Sequence, residues 1–132
     1  MARYLEDERI RPGLVLCSPS VRTRETLERV ARALPDSTPV EFDDGLYAAS
    51  ASALIERLRQ VPDETETVLV IAHNPGLQDL ARLLAGRGPA VARLDEKFPT
   101  GALATLVHDE AWAELRAGAC ELVELVFPRE LP

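Results

Sequence analysis

Two short stretches of this chain hold residue types that can grip an anion. One is Ser18-Pro19-Ser20-Val21-Arg22-Thr23-Arg24, at the start of a helical pattern; the other is His73, at the end of an apolar run. A helix N-terminus offers unpaired N–H groups and the positive end of the peptide dipoles. An arginine in the first turn adds a planar fork matched to phosphate oxygens. An imidazole facing the same crevice donates a hydrogen bond or a proton. Together these groups describe a cradle for a tetrahedral oxyanion. Taken one at a time they also fit plainer roles: Arg22 and Arg24 as solvated helix charges, His73 as a residue that caps a turn.

The other candidates are weaker. His108, the second of two histidines, closes an apolar run ahead of Asp109 and Glu110, and reads as a surface or strand-end residue. Cys17 and Arg22 enclose one residue fewer than the phosphate loops of cysteine phosphatases, and Pro19 interrupts them. Cys17 therefore reads as a buried thiol. For a general acid, Glu25, Asp95 and Glu96 are candidates without geometry.

What must position these residues is a set of strands leading into helices. Residues 68–72, Val-Leu-Val-Ile-Ala, form an uninterrupted apolar run that predicts a strand buried on both faces. Asn74-Pro75-Gly76 is turn chemistry, and Leu77, Leu80, Ala81 and Leu84 then recur at helical spacing. His73 thus falls at the carboxyl end of a strand, where open α/β sheets bind ligands.

Residues 14–17 predict a second buried strand, with Ser18 or Ser20 as cap of a helix whose apolar face is Val21, Leu27, Val30, Ala31 and Leu34. Residues 40–42 form an edge-strand candidate, and 51–60 a helix capped by Ser50 or Ser52. The Gly86-Arg-Gly-Pro89 stretch reads as helix-ending chemistry. Residues 102–107 and 121–127 predict two closing strands able to pair antiparallel. The second carries two glutamates and is expected near an edge. Residues 109–115 read as one helical turn or a wide loop. The first nine residues look like the tail of an amphipathic helix without a cap. The early strand–helix alternation predicts a mostly parallel sheet with helices on both faces.

Length and composition narrow the partners. A chain of 132 residues is expected to be one domain, and 46% hydrophobic with 28% charged residues is a globular balance. A net charge of -7 argues against nucleic acid and membrane surfaces, and no apolar run has the length of a membrane span. The two cysteines form neither a metal spacing nor a disulfide framework. A cytoplasmic location with reduced thiols is the expectation.

Four stretches in order carry a resemblance: Leu14-Val-Leu-Cys-Ser-Pro-Ser-Val-Arg-Thr-Arg-Glu-Thr26, Leu46-Tyr-Ala-Ala-Ser50, Val70-Ile-Ala-His-Asn-Pro-Gly-Leu77 and Lys97-Phe-Pro-Thr-Gly-Ala102. They resemble the histidine phosphatase superfamily, with its phosphoglycerate-mutase-like fold, and most closely its small SixA-type phosphohistidine phosphatases. The resemblance runs from about Tyr4 to Arg129. It implies a three-layer α/β/α fold with a mostly parallel sheet. It implies that Arg22 binds the phosphoryl group and that His73 is the second active-site histidine, with Ala72 where glycine is common. Ser18 and Asn74 join them as substrate-binding residues. The implied chemistry needs no metal or other cofactor. A first histidine attacks phosphorus, the arginines and the second histidine stabilise the transferring group, and water releases phosphate. The implied partners are a phosphorylated protein or a small phosphoester, and inorganic phosphate.

The departure lies at the start. The family's opening strand, with its Arg-His-Gly or Arg-His-Ala motif and nucleophilic histidine, has no counterpart in these 132 residues, and no histidine precedes His73. Three readings stay open: a shortened form of an active enzyme, a relative that binds phosphate or phosphoprotein without turnover, or a component completed by another chain. With the first strand missing, its neighbours are left with unpaired backbone groups. The chain is therefore expected to be marginally stable or to self-associate through the gap.

Overall fold

Residues 1–131 are described by a computed structural model in which parallel strands carry helices on both faces. The chain runs α1 (Ala2–Asp7), β1 (Leu14–Cys17), α2 (Val21–Ala31), β2 (Val40–Phe42), α3 (Ala51–Arg59), β3 (Val68–Ile71), α4 (Gly76–Leu84), β4 (Ala85–Arg87), β5 (Leu103–Val107) and β6 (Cys120–Val126), with four short 3-10 turns between and after them. The first sheet is ordered β2-β1-β3 and is wholly parallel. The second is ordered β4-β6-β5, with β4 parallel and β5 antiparallel to β6.

β1 is buried at all four positions, and its alternating side chains serve two different cores. Leu14 and Leu16 pack with Leu54, Ile55 and Leu58 of α3 and with Leu80 and Leu84 of α4. Val15 and Cys17 face the other way, onto Leu5 of α1, Val30 of α2, Leu34 and Ile71. A strand buried on both faces needs apolar residues at every position, which is why Leu-Val-Leu-Cys shows no polar alternation. These two cores on opposite faces of one strand make the three layers. A third core joins Ala81 of α4 to Phe98, Leu122, Leu125 and Phe127.

Three expectations need correction. β6 is the central strand of its sheet, because the Gly86-containing stretch leaves α4 as the short strand β4 and pairs along it. The glutamates fit there because they lie on less buried positions, Glu121 between buried Cys120 and Leu122 and Glu124 just before buried Leu125. The Gly86-Arg-Gly-Pro89 stretch is thus part strand. The approach demands glycine, since a Cβ at Gly86 would stand 2.2 Å from the Gly118 carbonyl oxygen. Finally, the buried face of α2 is Thr23 and Val30, with Leu34 beyond the helix end, while Val21 is 74% exposed.

One relationship between the sheets bears on the whole molecule. β3 pairs with β1 on one side only, and β5 pairs with β6 on one side only. The apolar residues Val68, Leu69 and Val70 on β3, and Leu103 and Leu106 on β5, are only partly buried. Like β2 and β4, both strands have an outer edge with no partner among the described residues, and here the apolar side chains beside it are partly buried.

Candidate functional site

The crevice forms where β1 and β3 end side by side. Cys17 and Ile71 are Cα partners in the parallel register, so the residues after them emerge at the same rim. From β1 the chain passes through Ser18 into α2; from β3 it passes through His73 into α4. The Ser18 N–H donates to the Ile71 carbonyl at 2.9 Å, which extends the ladder by one bond. The side chains then meet directly: His73 Nε2 and Ser18 Oγ are 2.9 Å apart. Ser18 is fully buried, and its carbonyl accepts from Thr23 Oγ1.

The N-termini of α2 and α4 open onto one cavity of about 610 Å³, lined by Ser20 and Arg22 from the first and by His73, Asn74, Pro75, Gly76 and Asp79 from the second. Ser20 caps α2, accepting from the Thr23 N–H at 3.3 Å. α4 has no side-chain cap; its turn is closed by Leu77 and Asp79 N–H groups donating to the His73 and Pro75 carbonyls. The Asn74–Pro75 peptide is cis. Asn74 donates through Nδ2 to the Phe98 carbonyl at 3.3 Å. The segment bearing Phe98 is in turn tied to α4 by buried Gln78, which donates to the Leu94 and Glu96 carbonyls and accepts from the Phe98 N–H.

The two arginines of the first motif separate. Arg24 donates from Nε to the Pro19 carbonyl at 2.8 Å and stacks over the Phe42 ring at 4.3 Å, so its charge is engaged at the back of the loop. Arg22 is exposed, lines the cavity and has no ion-pair partner among the described residues. Of the four residues singled out from the motifs, Arg22, His73 and Asn74 line the cavity, and Ser18 sits beneath it against His73.

None of the three candidate acids lines it. Glu25 is exposed on α2, Asp95 is exposed, and Glu96 pairs with Arg93 and Arg129. The carboxylate that does line it is Asp79, in the first turn of α4, where the helix dipole favours a negative charge. Its place three residues after Gly76 was the available signal. Tyr47 was also missed as a lining residue. Its ring meets the His73 ring edge-on, with centroids 5.3 Å apart and planes at 73°. The Leu46-Tyr-Ala-Ala-Ser50 stretch pointed to the segment but not to what its tyrosine touches.

The remaining candidates lie elsewhere. Cys17 is fully buried, and that burial pushes its thiol above the ordinary range. His108 follows β5 and stacks edge-on against Trp112 at 4.7 Å, with Nδ1 buried and unpartnered. Among the described residues, no cluster of three metal-ligating side chains occurs, and no helix is long and apolar enough to cross a membrane.

No family model matches the chain. An uncharacterised protein of Mycobacterium tuberculosis is 37% identical over 119 residues, spanning 87% of this chain and 73% of that protein. The phosphohistidine phosphatase SixA of Escherichia coli is 33% identical over 121 residues, spanning 84% of this chain and 67% of SixA. Among solved structures, a protein assigned as a SixA phosphohistidine phosphatase, from Nakamurella multipartitia, superposes with a TM-score of 0.82 at 26% identity, over 96% of this chain and 77% of the other. The protein histidine phosphatase SixA in complex with tungstate superposes with a TM-score of 0.76 at 25% identity, over 99% of this chain and 78% of the other.

Proposed function

This chain belongs to the histidine phosphatase superfamily, among its SixA-like members, and on that premise we propose that it holds a phosphoryl group between Arg22 and His73 without turning it over as the 132-residue chain. Ser18 and Asn74 serve that grip at one remove: Ser18 by fixing the imidazole of His73, Asn74 by tying the loop before α4 to the Phe98 segment. The observation that carries the reading is the convergence of Arg22, His73 and two helix N-termini on one cavity. Tungstate, bound by one SixA relative, is a tetrahedral oxyanion of the kind such a cavity suits.

What lines the cavity supports the absence of turnover. Transfer through a phosphorylated imidazole asks for one histidine to attack and further groups to hold the moving charge. Among the lining residues there is one imidazole and one guanidinium. If His73 attacks, Arg22 alone faces a phosphoryl group carrying more than one negative charge, and Asp79 adds a further negative charge beside it. The natural ligand is a phosphorylated protein or a small phosphoester, met in the cytoplasm.

Thermal unfolding with inorganic phosphate or tungstate tests the grip. A ligand at about 100 times its Kd stabilises by about 2.7 kcal/mol, which raises Tm by several degrees. The Arg22→Ala variant is expected to lose that rise. No shift in the unmodified chain defeats the reading. Incubation with a phosphohistidine protein is expected to release essentially no phosphate; release that His73→Ala abolishes would show that His73 is itself a nucleophile.

A further inference from the structure

The Lys97-Phe-Pro-Thr-Gly101 stretch holds the only lysine among the 132 residues, and the grip on phosphate leaves it unused. Its backbone is fixed by one buried side chain. Gln78 of α4 donates from Nε2 to the Glu96 carbonyl at 2.8 Å, and its Oε1 accepts from the Phe98 N–H at 3.1 Å. Those are the peptide groups on either side of Lys97, so the amide spans that residue. A second bond from Nε2, to the Leu94 carbonyl at 3.3 Å, uses the remaining donor. Gln78 is only 8% exposed, and an unmet bond on a buried amide is costly, so the segment stays pinned. The Phe98 carbonyl accepts from Asn74 Nδ2 at 3.3 Å, and Asn74 lines the cavity. The segment therefore lies along the start of α4, with Phe98 against the loop that follows His73. Phe98 is buried in the third core, while Lys97 is exposed. Lys97 makes no ion pair among the described residues, and its neighbour Glu96 is taken up by Arg93 and Arg129.

The cavity is short of positive charge. A phosphoryl group carries more than one negative charge, Arg22 is the one arginine that lines the cavity, and Asp79 lines it too. A lysine is a compact cation on a flexible four-carbon stem, and it binds phosphate as a point charge without a fixed fork. We infer that Lys97 is a second phosphoryl-binding residue: its backbone is held by Gln78, and its side chain turns in past Asn74 to set the ammonium against the phosphoryl oxygens. Lys97 approaches from the α4 side and Arg22 from the α2 side. Lys97 is outside the cavity lining, so the contact forms as the side chain swings inward onto the anion. The inference rests on the Arg22–His73 grip and adds a cation to it.

Titration calorimetry with inorganic phosphate on the full 132-residue chain provides the test. Lys97→Met removes the charge and keeps an unbranched stem at an exposed position. Its affinity for phosphate is expected to fall about twofold to fivefold, the size of one exposed ion pair. Lys97→Arg is expected to keep most of the affinity. Arg32→Met, which removes a positive charge at the far end of α2, is expected to leave it unchanged. The single lysine also reports directly. With its amine carrying labelled methyl groups, which preserve the charge, its resonance is expected to move with phosphate along the calorimetric saturation curve and to stay still in Arg22→Ala. Phosphate affinity in Lys97→Met equal to that of the unmodified chain overturns the inference. An equal loss in Arg32→Met also overturns it, because net charge alone then sets the affinity. So does a lysine resonance that ignores phosphate while the unmodified chain binds it. In each of these cases the Arg22–His73 grip stands, provided that Arg22→Ala abolishes binding. An unmodified chain that takes up no phosphate defeats that grip, and the second cation with it.

Discussion

His73 Nε2 and Ser18 Oγ stand 2.9 Å apart, joining residues 55 positions distant in the chain. The bond exists because β1 and β3 pair in parallel with Cys17 opposite Ile71, so both chains leave the sheet at one level. It holds the imidazole at its Nε2 edge, while the Tyr47 ring meets it edge-on and His73 still lines the cavity.

Ser18→Ala removes that partner while leaving the backbone bonds of Ser18 intact. The loss of one part-buried hydrogen bond is expected to lower stability by about 0.5–1.5 kcal/mol, read from urea unfolding. Phosphate-induced stabilisation is expected to shrink as well, because the imidazole is no longer held. Unchanged phosphate stabilisation would show that Ser18 matters only to folding.

Gly76→Ala puts a methyl group 2.2 Å from the Ala49 carbonyl oxygen, a backbone atom, where no flexible side chain can yield. Overpacking of this kind costs about 1–3 kcal/mol. The segment carrying Tyr47 is expected to shift away from α4, so the edge-on contact with His73 is lost along with stability. Chemical shifts of the His73 ring protons, set against those in Tyr47→Ala, report that separation. A Gly76→Ala chain of full stability and unchanged His73 shifts would contradict the close approach.

How much of this was readable in advance differs by scale. β1 was plain because a strand buried on both faces must be apolar throughout; β3 shows the same apolar run but is an edge strand with Val68, Leu69 and Val70 only partly buried, and the motif residues at the two strand ends followed from the parallel pairing. β4 was hidden because Ala85–Arg87 has no β-branched residue or alternation; it is a strand only because Gly86 lets its backbone approach the Gly118 carbonyl. The same holds within the site. Arg22 and Arg24 are alike in spacing and differ only in that Phe42 and the Pro19 carbonyl are present to occupy the second. Asp79 and Tyr47 line the cavity through folding of segments whose patterns speak only of helix and turn.

The unpaired edges of β3 and β5 carry the next expectation. Open strand edges flanked by incompletely buried apolar side chains recruit other strands. Light scattering across a concentration series is expected to show association of the 132-residue chain. Thr105→Lys, which adds a charge on β5 opposite Glu124, is expected to reduce it. A stable monomer at every concentration would mean that the two edges are closed in solution.

The C-terminal turn should respond to acid. Glu130 accepts from the Phe127 N–H at 2.8 Å and from Arg93 at 3.1 Å. The bond from the Phe127 backbone, then Arg93, hold its carboxyl below the ordinary range. A carboxylate whose folded value is lowered adds stability above its unfolded value and loses it as pH falls through the folded one. Stability is therefore expected to fall on acidification through and below the usual carboxylate range, with Glu130→Gln removing part of that slope. The turn at Pro128–Glu130 is expected to loosen first, since Arg93, which stacks on the Phe127 ring, loses its Glu130 partner and keeps only Glu96. Amide exchange at Phe127, followed against pH in the parent chain and in Glu130→Gln, separates this local opening from global unfolding. Protection of the Phe127 amide, taken relative to its intrinsic exchange rate at each pH, that is equal at acid and neutral pH would show that the turn stands without the carboxylate.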